Sequence, residues 1–234
     1  MSTILLVSGD KGGVGKSCLA RVLCDSLRHN GKVLAAYDAD RRNPQLYRFY
    51  GQGSQDPTEG VEMLDFVGSG ADKLIEDIMS EKAPYCLVDL PAGSGARMEA
   101  LERELKLVER VQKSGHKVVV FHVLSRVIDS INALKLTIEN FGEGPRYVAV
   151  KNGFFGPENS FVRWQSSKTR EKFLAIGGTE VFLSDLNDLV FDQIDSRSLT
   201  FRQASKSEHL VHAQRWRVEE WLEAADNAIK SLNL

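Results

Sequence analysis

Short apolar runs rich in β-branched residues alternate along this chain with longer segments in which apolar positions recur every three or four residues. Six runs predict strands: Thr3–Val7, Lys32–Tyr37, Tyr85–Val88, Lys117–Val123, Tyr147–Val150 and Glu180–Leu183. Most of them are apolar on both faces, as in parallel strands that helices cover on each side. We therefore expect an α/β fold, with a doubly wound, mostly parallel sheet flanked by helices.

The segments between these strands have helical spacing. The predicted helices are Ser17–His29, Asp72–Glu81, Arg97–Ser114, Val127–Asn140, Trp164–Leu174 and a last one from about His209 to Ser231. Gly31, Gly115 and Gly142 follow predicted helix ends, where a left-handed cap favours glycine. The polar segments Gly51–Gly60 and Gly153–Ser160 are predicted loops, and neither is long enough to mark a domain boundary. We expect a single domain over residues 1–234.

Composition and charge narrow the class of protein. With 42% hydrophobic and 26% charged residues the chain has a globular composition. Its formal net charge is −2, so a nucleic acid or membrane contact would need a local patch. The cysteines Cys18, Cys24 and Cys86 lack metal-ligand spacing, and no signal segment or membrane-length apolar run is present. These features predict a cytoplasmic protein.

Residues 9–17, GDKGGVGKS, join the first predicted strand to the first predicted helix, which is the context of a phosphate-binding loop. Backbone N–H groups would surround phosphate oxygens, Lys16 would supply positive charge, and the Ser17 hydroxyl would reach Mg²⁺. The predicted nucleotide-binding residues here are Gly12, Gly13, Val14, Gly15, Lys16, Ser17 and Cys18. The strict pattern has glycine where this chain has Asp10, whose carboxylate must point away from the phosphates or hydrogen-bond locally.

Aspartates follow two of the predicted strands. Asp38 and Asp40 end the run AAYDAD, and Asp89 ends the run LVD. The carboxyl ends of parallel strands are where such sheets bind ligands, and alternation along a strand predicts Asp38 and Asp40 on one side. Asp89 is a candidate to hold Mg²⁺ through a water molecule. Ordinary solvated carboxylates are the alternative for Asp38 and Asp40.

The run KGGVGKS, followed at the right distance by DLPAG, resembles the signature of the ParA/MinD family of deviant Walker A ATPases. The mark of that family is a second lysine near the start of the loop. The resemblance implies that Lys11 crosses a homodimer interface to the phosphates of the other subunit, while Lys16 binds those of its own. A solvated loop lysine is the alternative for Lys11.

The same resemblance implies further roles. Asp38 would support the phosphate loop and the Mg²⁺ shell together with Ser17 and Asp89, and Asp40 would orient the attacking water. The Gly93 amide would sense the γ-phosphate. Asn152 would bind adenine, although Asn-Gly is also a common turn dipeptide and the two interpretations stay open. The implied catalytic set is Lys11, Lys16 and Asp40, and the implied cofactors are ATP and Mg²⁺.

The function implied is a Mg²⁺-dependent ATPase that forms an ATP-sandwich homodimer and positions or segregates a cargo, such as plasmid or chromosomal DNA. A stimulating adaptor protein is an expected partner. Two alternatives stay open: a metabolic ATP-dependent ligase or synthetase of the same superfamily, and an adaptor that uses ATP as a dimer staple with little hydrolysis.

Basic residues in the second half of the chain allow a non-specific DNA contact, with a solvated mixed surface as the alternative. They are Arg163, Lys168, Arg170, Lys172, Arg202, Lys206, Arg215 and Arg217. On the last helix, an apolar stripe predicts a core-facing side, formed by Trp216, Trp221, Leu222, Ala225 and Ile229. Several acidic residues on that helix argue against a stable membrane anchor.

Overall fold

The structure, a computed structural model, describes residues 1–9, 12–51, 56–65, 70–93 and 95–234. Within these ranges seven strands form one sheet: β1 (Thr3–Ser8), β2 (Leu34–Asp38), β3 (Glu62–Met63), β4 (Tyr85–Asp89), β5 (Lys117–Leu124), β6 (Arg146–Asn152) and β7 (Thr179–Leu183). Their order is β3-β2-β4-β1-β5-β6-β7, and every neighbouring pair is parallel. The predicted α/β fold class is confirmed, and so are all six predicted strands.

The described helices are α1 (Lys16–His29), α2 (Gln45–Tyr50), α3 (Gly70–Met79), α4 (Gly95–Leu105), α5 (Leu107–Lys113), α6 (Ile128–Phe141), α7 (Val162–Gln165), α8 (Lys168–Ala175), α9 (Asp188–Ser196), α10 (Phe201–Lys206) and α11 (His212–Lys230). Each parallel crossover needs such a connection to return to the same edge of the sheet. Gly31, Gly115 and Gly142 all follow helix ends with positive φ, as predicted, although Gly142 has a ψ of −160°, outside the left-handed helical conformation.

Two apolar cores lie on opposite faces of the sheet. On one face, alternate strand residues such as Leu5, Leu87 and Phe121 pack against α1, α9, α10 and α11. On the other, the intervening residues pack against α3 to α8. Because side chains along a strand alternate between faces, apolar residues at successive positions supply both layers.

Two predicted helices are each divided in two. The segment predicted as Arg97–Ser114 breaks at Lys106, whose φ of 47° is left-handed. The segment predicted as Trp164–Leu174 breaks before Ser167, whose hydroxyl accepts from the Arg170 backbone N–H and caps α8. The first break is one residue long and the second is two residues long, and the helical period in the sequence shows neither of them.

The prediction for Trp216 is wrong. Its side chain is 64% exposed, whereas Trp221 is 5% exposed and packs in the core with Leu222, Ala225 and Ile229. Five helical residues turn through about 500°, so positions 216 and 221 lie roughly 140° apart. Among the described residues, no helix is both long enough and apolar enough to span a membrane.

Candidate nucleotide-binding site

A glycine-rich turn joins the central strand β1 to α1. Gly13 and Gly15 have φ of 79° and 103°, in the left-handed region that favours glycine. Gly15 is the N-cap of α1, and no described side chain caps this end. The first N–H groups of such a helix can bind an anion. Asp10 and the predicted catalytic residue Lys11 lie outside the described residues.

Gly9 shapes this turn, although the motif pattern does not include it. A Cβ at position 9 would lie 2.9 Å from Val14 Cγ1 and 3.2 Å from Lys16 Cγ. Val14 and Lys16 are both buried, so neither has open space to move into. The absence of a side chain at Gly9 therefore lets the stem of Lys16 lie against the end of β1. The sequence shows the glycine but not this close approach.

Asn152, at the end of β6, is hydrogen-bonded at both ends of its amide. Its Nδ2 donates to the Val14 carbonyl at 2.9 Å, and its Oδ1 accepts from the Phe154 N–H at 3.1 Å. The turn interpretation is therefore confirmed, and the same side chain also holds the phosphate loop. A Cβ on Gly15 would lie 2.3 Å from this Nδ2, so only glycine fits there. The adenine contact stays a prediction.

Asp38 and Asp89 are directly paired across the neighbouring strands β2 and β4. Residues in register point to the same face, which here is the face that α1 covers. Both are fully buried. Asp38 Oδ1 accepts from the Asp40 N–H at 2.9 Å, and Oδ2 accepts from the Tyr47 N–H at 3.0 Å. Burial nevertheless raises the pKa of Asp38 to about 6.

The Asp89 carboxylate has no hydrogen-bond partner among the described residues. Burial raises its pKa to about 8, and the charge of Asp38 adds to this rise. Ser17 and Lys16 act in the opposite direction, so both lie near the carboxylate. A buried, unpartnered carboxylate beside a hydroxyl is a suitable environment for a hard cation with oxygen ligands, such as Mg²⁺.

A cation at this site would meet few protein ligands among the described residues. The described part of the chain contains no group of three or more His, Cys, Asp or Glu side chains that could hold a metal ion. Mg²⁺ commonly keeps several waters and binds through one or two protein groups plus substrate phosphates. Ser17, Asp38 and Asp89 fit that pattern, and their role as a metal site stays a prediction.

Asp40 lies just beyond the end of β2, so strand alternation does not determine where its side chain points. Its Oδ1 accepts from the backbone N–H groups of Arg42 and Asn43, both at 3.1 Å, which starts a tight turn. Its charge raises the pKa of both Asp38 and Asp89 and thus acts at the same site. Gly93 follows β4 with a φ of 70° and is exposed.

Two residues near the loop have packing roles. Cys18, in the first turn of α1, is half-buried and packs against the core on that face of the sheet. His122 on β5 is buried between the Ser8 hydroxyl at 3.1 Å and the Ser130 carbonyl at 3.2 Å. Burial lowers the pKa of His122 to about 4, so the ring is neutral. His122 is a strand histidine with both ring nitrogens partnered.

The basic residues of the second half do not all remain available to a ligand. Arg170 pairs with Glu180, and Arg202 pairs with Asp25 and Asp226. Lys206, Arg215 and Arg217 of α10 and α11 have no ion pair within the described ranges. Arg163, Lys168 and Lys172 likewise have no ion pair within the described ranges, so six of the eight cations could still contact an anionic partner.

A glycine-rich loop on the central strand of a parallel sheet, with buried aspartates at adjacent strand ends, defines a P-loop nucleotide-binding protein. Residues 5–186 match the family model described as the CobQ/CobB/MinD/ParA nucleotide binding domain. The chain belongs to this family.

Individual relatives support that assignment. The chain is 28% identical over 224 residues to Protein MobD of Acidithiobacillus ferrooxidans, which covers 93% of this chain and 94% of MobD. The crystal structure of the cell division ATPase MinD of Pyrococcus furiosus is similar with a TM-score of 0.56 and 17% identity, over 99% of this chain and 100% of that one. The septum site-determining protein MinD of Pyrococcus horikoshii, complexed with Mg-ADP, has a TM-score of 0.52 and 17% identity, over 96% and 95%. At these identities the structures establish a shared fold.

Proposed function

We propose that this protein is a Mg²⁺-dependent ATPase that switches between a monomer and a homodimer with ATP at its interface. The observation that carries the proposal is the buried, unpartnered carboxylate of Asp89 beside Lys16 and Ser17. Such a group is costly to bury unless a cation binds it. The bound Mg-ADP of the Pyrococcus horikoshii protein supports the same pair of ligands here.

The residues around the loop divide the work of phosphoryl transfer between them. When bound, Mg²⁺ neutralises phosphate charge. Lys16 would bind the phosphates, and Ser17, Asp38 and Asp89 would hold the metal, with Asp89 acting through water. The described hydrogen bonds of the Asp40 carboxylate fall on Oδ1, and in this proposal Oδ2 would accept a proton from the attacking water. Gly93 would donate its N–H to the γ-phosphate, and Asn152 borders the base.

Lys11 supplies the link between two copies. By family resemblance its ammonium reaches the phosphates of the other subunit, as an arginine finger does, and makes ATP part of the dimer interface. Hydrolysis would then separate the subunits. Such a cycle suits a switch that positions or segregates a cargo and responds to an adaptor protein.

Size measurements with and without nucleotide test this proposal. We expect a monomer with ADP and a dimer with a non-hydrolysable ATP analogue, both in Mg²⁺, by light scattering coupled to gel filtration. Lys11→Ala should remain a monomer with the analogue because the bridging charge is lost. Asp40→Ala should remain a dimer even with ATP because water is no longer positioned. A wild-type protein that binds the analogue and stays monomeric contradicts the sandwich model.

A further inference from the structure

Helix α2 lies between the candidate site and the helices beyond α1. It has six residues, and no described side chain caps its N-terminus at Pro44. A helix this short has little stability of its own, so its position depends on the groups that its residues contact. Two of its residues, Leu46 and Phe49, are buried. Three others form hydrogen bonds with residues outside α2: Tyr47, Arg48 and Tyr50.

The near end of α2 is bonded to the site itself. The Tyr47 N–H donates to Asp38 Oδ2 at 3.0 Å, while Asp38 Oδ1 accepts from the Asp40 N–H. Both oxygens of one buried carboxylate are thus held by the segment that follows it. A change in the position of the Asp38 carboxylate must displace α2 or break one of these bonds.

The far end of α2 is bonded to α1 and α10. The Tyr50 hydroxyl donates to Asp25 Oδ2 at 2.9 Å and accepts from the Phe201 N–H at 3.4 Å. Arg202 on α10 pairs with that same Asp25 at 2.7 Å and with Asp226 on α11. Tyr50 is therefore one hydrogen bond away from a partly buried ion-pair network that connects α1, α10 and α11.

A third contact joins α2 to α9. Arg48 donates to the Asp195 carbonyl at 2.5 Å and to the Ser198 hydroxyl at 3.1 Å. Ser198 is in the turn after α9 and has a left-handed φ of 50°. Helices α9 and α10 therefore contact α2 directly, and α11 is connected to it through the Arg202–Asp226 ion pair.

Arg21 of α1 occupies the space between these helices. Its guanidinium carbon lies 3.4 Å from the ring centre of Phe49 on α2 and 4.3 Å from that of Phe201 on α10. The side chain is 2% exposed, and its Nε and Nη2 have no hydrogen-bond partner in the described structure. Aromatic faces attract a cation but do not replace lost hydrogen bonds. An apolar side chain of equal volume at position 21 would therefore give a higher free energy of unfolding than this arginine does.

We propose that α2 is a coupling helix, through which occupation of the nucleotide site changes the packing of α10 and of the first half of α11. This inference rests on the proposed function. Tyr47 connects α2 to Asp38, while Tyr50 and the Arg21 cage connect it to α10. Val211 and Trp216, both strongly exposed, lie at the receiving end, so the surface that changes is one that a partner can reach.

Amide hydrogen exchange of the full-length protein tests the coupling. We expect saturating Mg²⁺ and a non-hydrolysable ATP analogue to slow exchange in peptides covering 201–206 and 212–222. Tyr50→Phe should lose most of this protection because only the bridging hydroxyl is removed. Tyr85→Phe is the matched control, since its hydroxyl bonds the Leu234 carbonyl at 3.0 Å without touching α2. It should keep the full protection.

Arg21→Met provides a second variant that is expected to fold. It fills the cage without a charge, so its thermal unfolding temperature should be no lower than that of the wild type, while the protection of α10 and α11 is lost. In all three variants, Tyr50→Phe, Tyr85→Phe and Arg21→Met, the affinity for a fluorescent ATP analogue should stay within about threefold of the wild-type value. Their oligomeric state should be the same as that of the wild type.

The outcomes separate the two proposals. If the wild type binds nucleotide and exchange over 201–222 is unchanged, or if Tyr50→Phe and Arg21→Met keep the full protection, the coupling is wrong and the proposed function stands. If no nucleotide binds, both are wrong.

Discussion

At the scale of single residues, the main feature of the candidate site is a pair of buried aspartates. Asp38 and Asp89 are paired across two strands, and the pKa of each is raised above its ordinary value by burial. A raised pKa means that the folded protein binds a proton more tightly than the unfolded chain does. The folded state without a cation should therefore lose stability as pH rises from about 4, the unfolded pKa, through the folded values of about 6 and 8.

Replacing Asp89 by asparagine tests this dependence. In EDTA and without nucleotide, Asp89→Asn should unfold at a higher temperature than the wild type, with a gain that increases between pH 5 and pH 8. The expected change is about 1.4 kcal/mol per pH unit for one group. Melting curves over pH 5 to 9 measure it. The exposed Glu104→Gln serves as the control, and curves that run parallel for Asp89→Asn and the wild type would contradict the assignment.

The sequence predicts the motif residues of the site, but not the contacts that hold them in position. The loop residues and the three aspartates follow apolar runs, and the edge at which they meet follows from parallel strand order. The role of Gly9 and the bond from Asn152 to Val14 depend on which loops approach each other in space. One sequence gives no access to such distances.

At the scale of elements, strands were easier to predict than short helices. A run that is apolar on both faces has few other structures available to it, so all six predicted strands are present. Helices α2 and α10 and the two-residue strand β3 were not predicted, since six or fewer residues show no clear period. Their positions are set by tertiary contacts, such as those of Phe49 and Phe201 with Arg21.

The break between α4 and α5 permits a stability prediction. Lys106 has φ and ψ of 47° and 47°, and its side chain is largely exposed. Lys106→Gly should raise the free energy of unfolding by about 0.5–1 kcal/mol, because glycine adopts this conformation without a Cβ clash. Lys135→Gly, inside α6, should lower it by about 1 kcal/mol. Urea unfolding of both variants provides the measurement, and a destabilised Lys106→Gly would show that the lysine is not strained.

At the scale of the whole molecule, charge limits what the protein can bind. The net charge of −2 gives no general attraction to nucleic acid. With Arg170 and Arg202 held in ion pairs, six of the eight predicted cations have no ion pair in the described structure, and Lys206, Arg215 and Arg217 are those on α10 and α11. DNA binding, where it occurs, should therefore be weak and strongly dependent on salt.

The salt dependence of DNA affinity can be measured by titration. Three phosphate contacts per protomer predict a slope of about −3 in a plot of log affinity against log salt. Arg217→Ala should reduce the magnitude of that slope by about 1, whereas Lys135→Ala on α6 should leave it unchanged. Fluorescence anisotropy with a labelled duplex, in the presence of the ATP analogue, measures both. An unaltered slope for Arg217→Ala would place the DNA contact elsewhere.

The cross-strand pairing of Asp38 with Asp89 also bears on how long the protein survives in a cell. Burial of these two acids under α1 lowers the free energy of unfolding of the protein without ligand. A bound cation and nucleotide would raise that free energy by the free energy of binding. Proteases act on opened chains, so limited digestion should degrade the empty form first. The abundance of this protein would then follow the supply of its ligands.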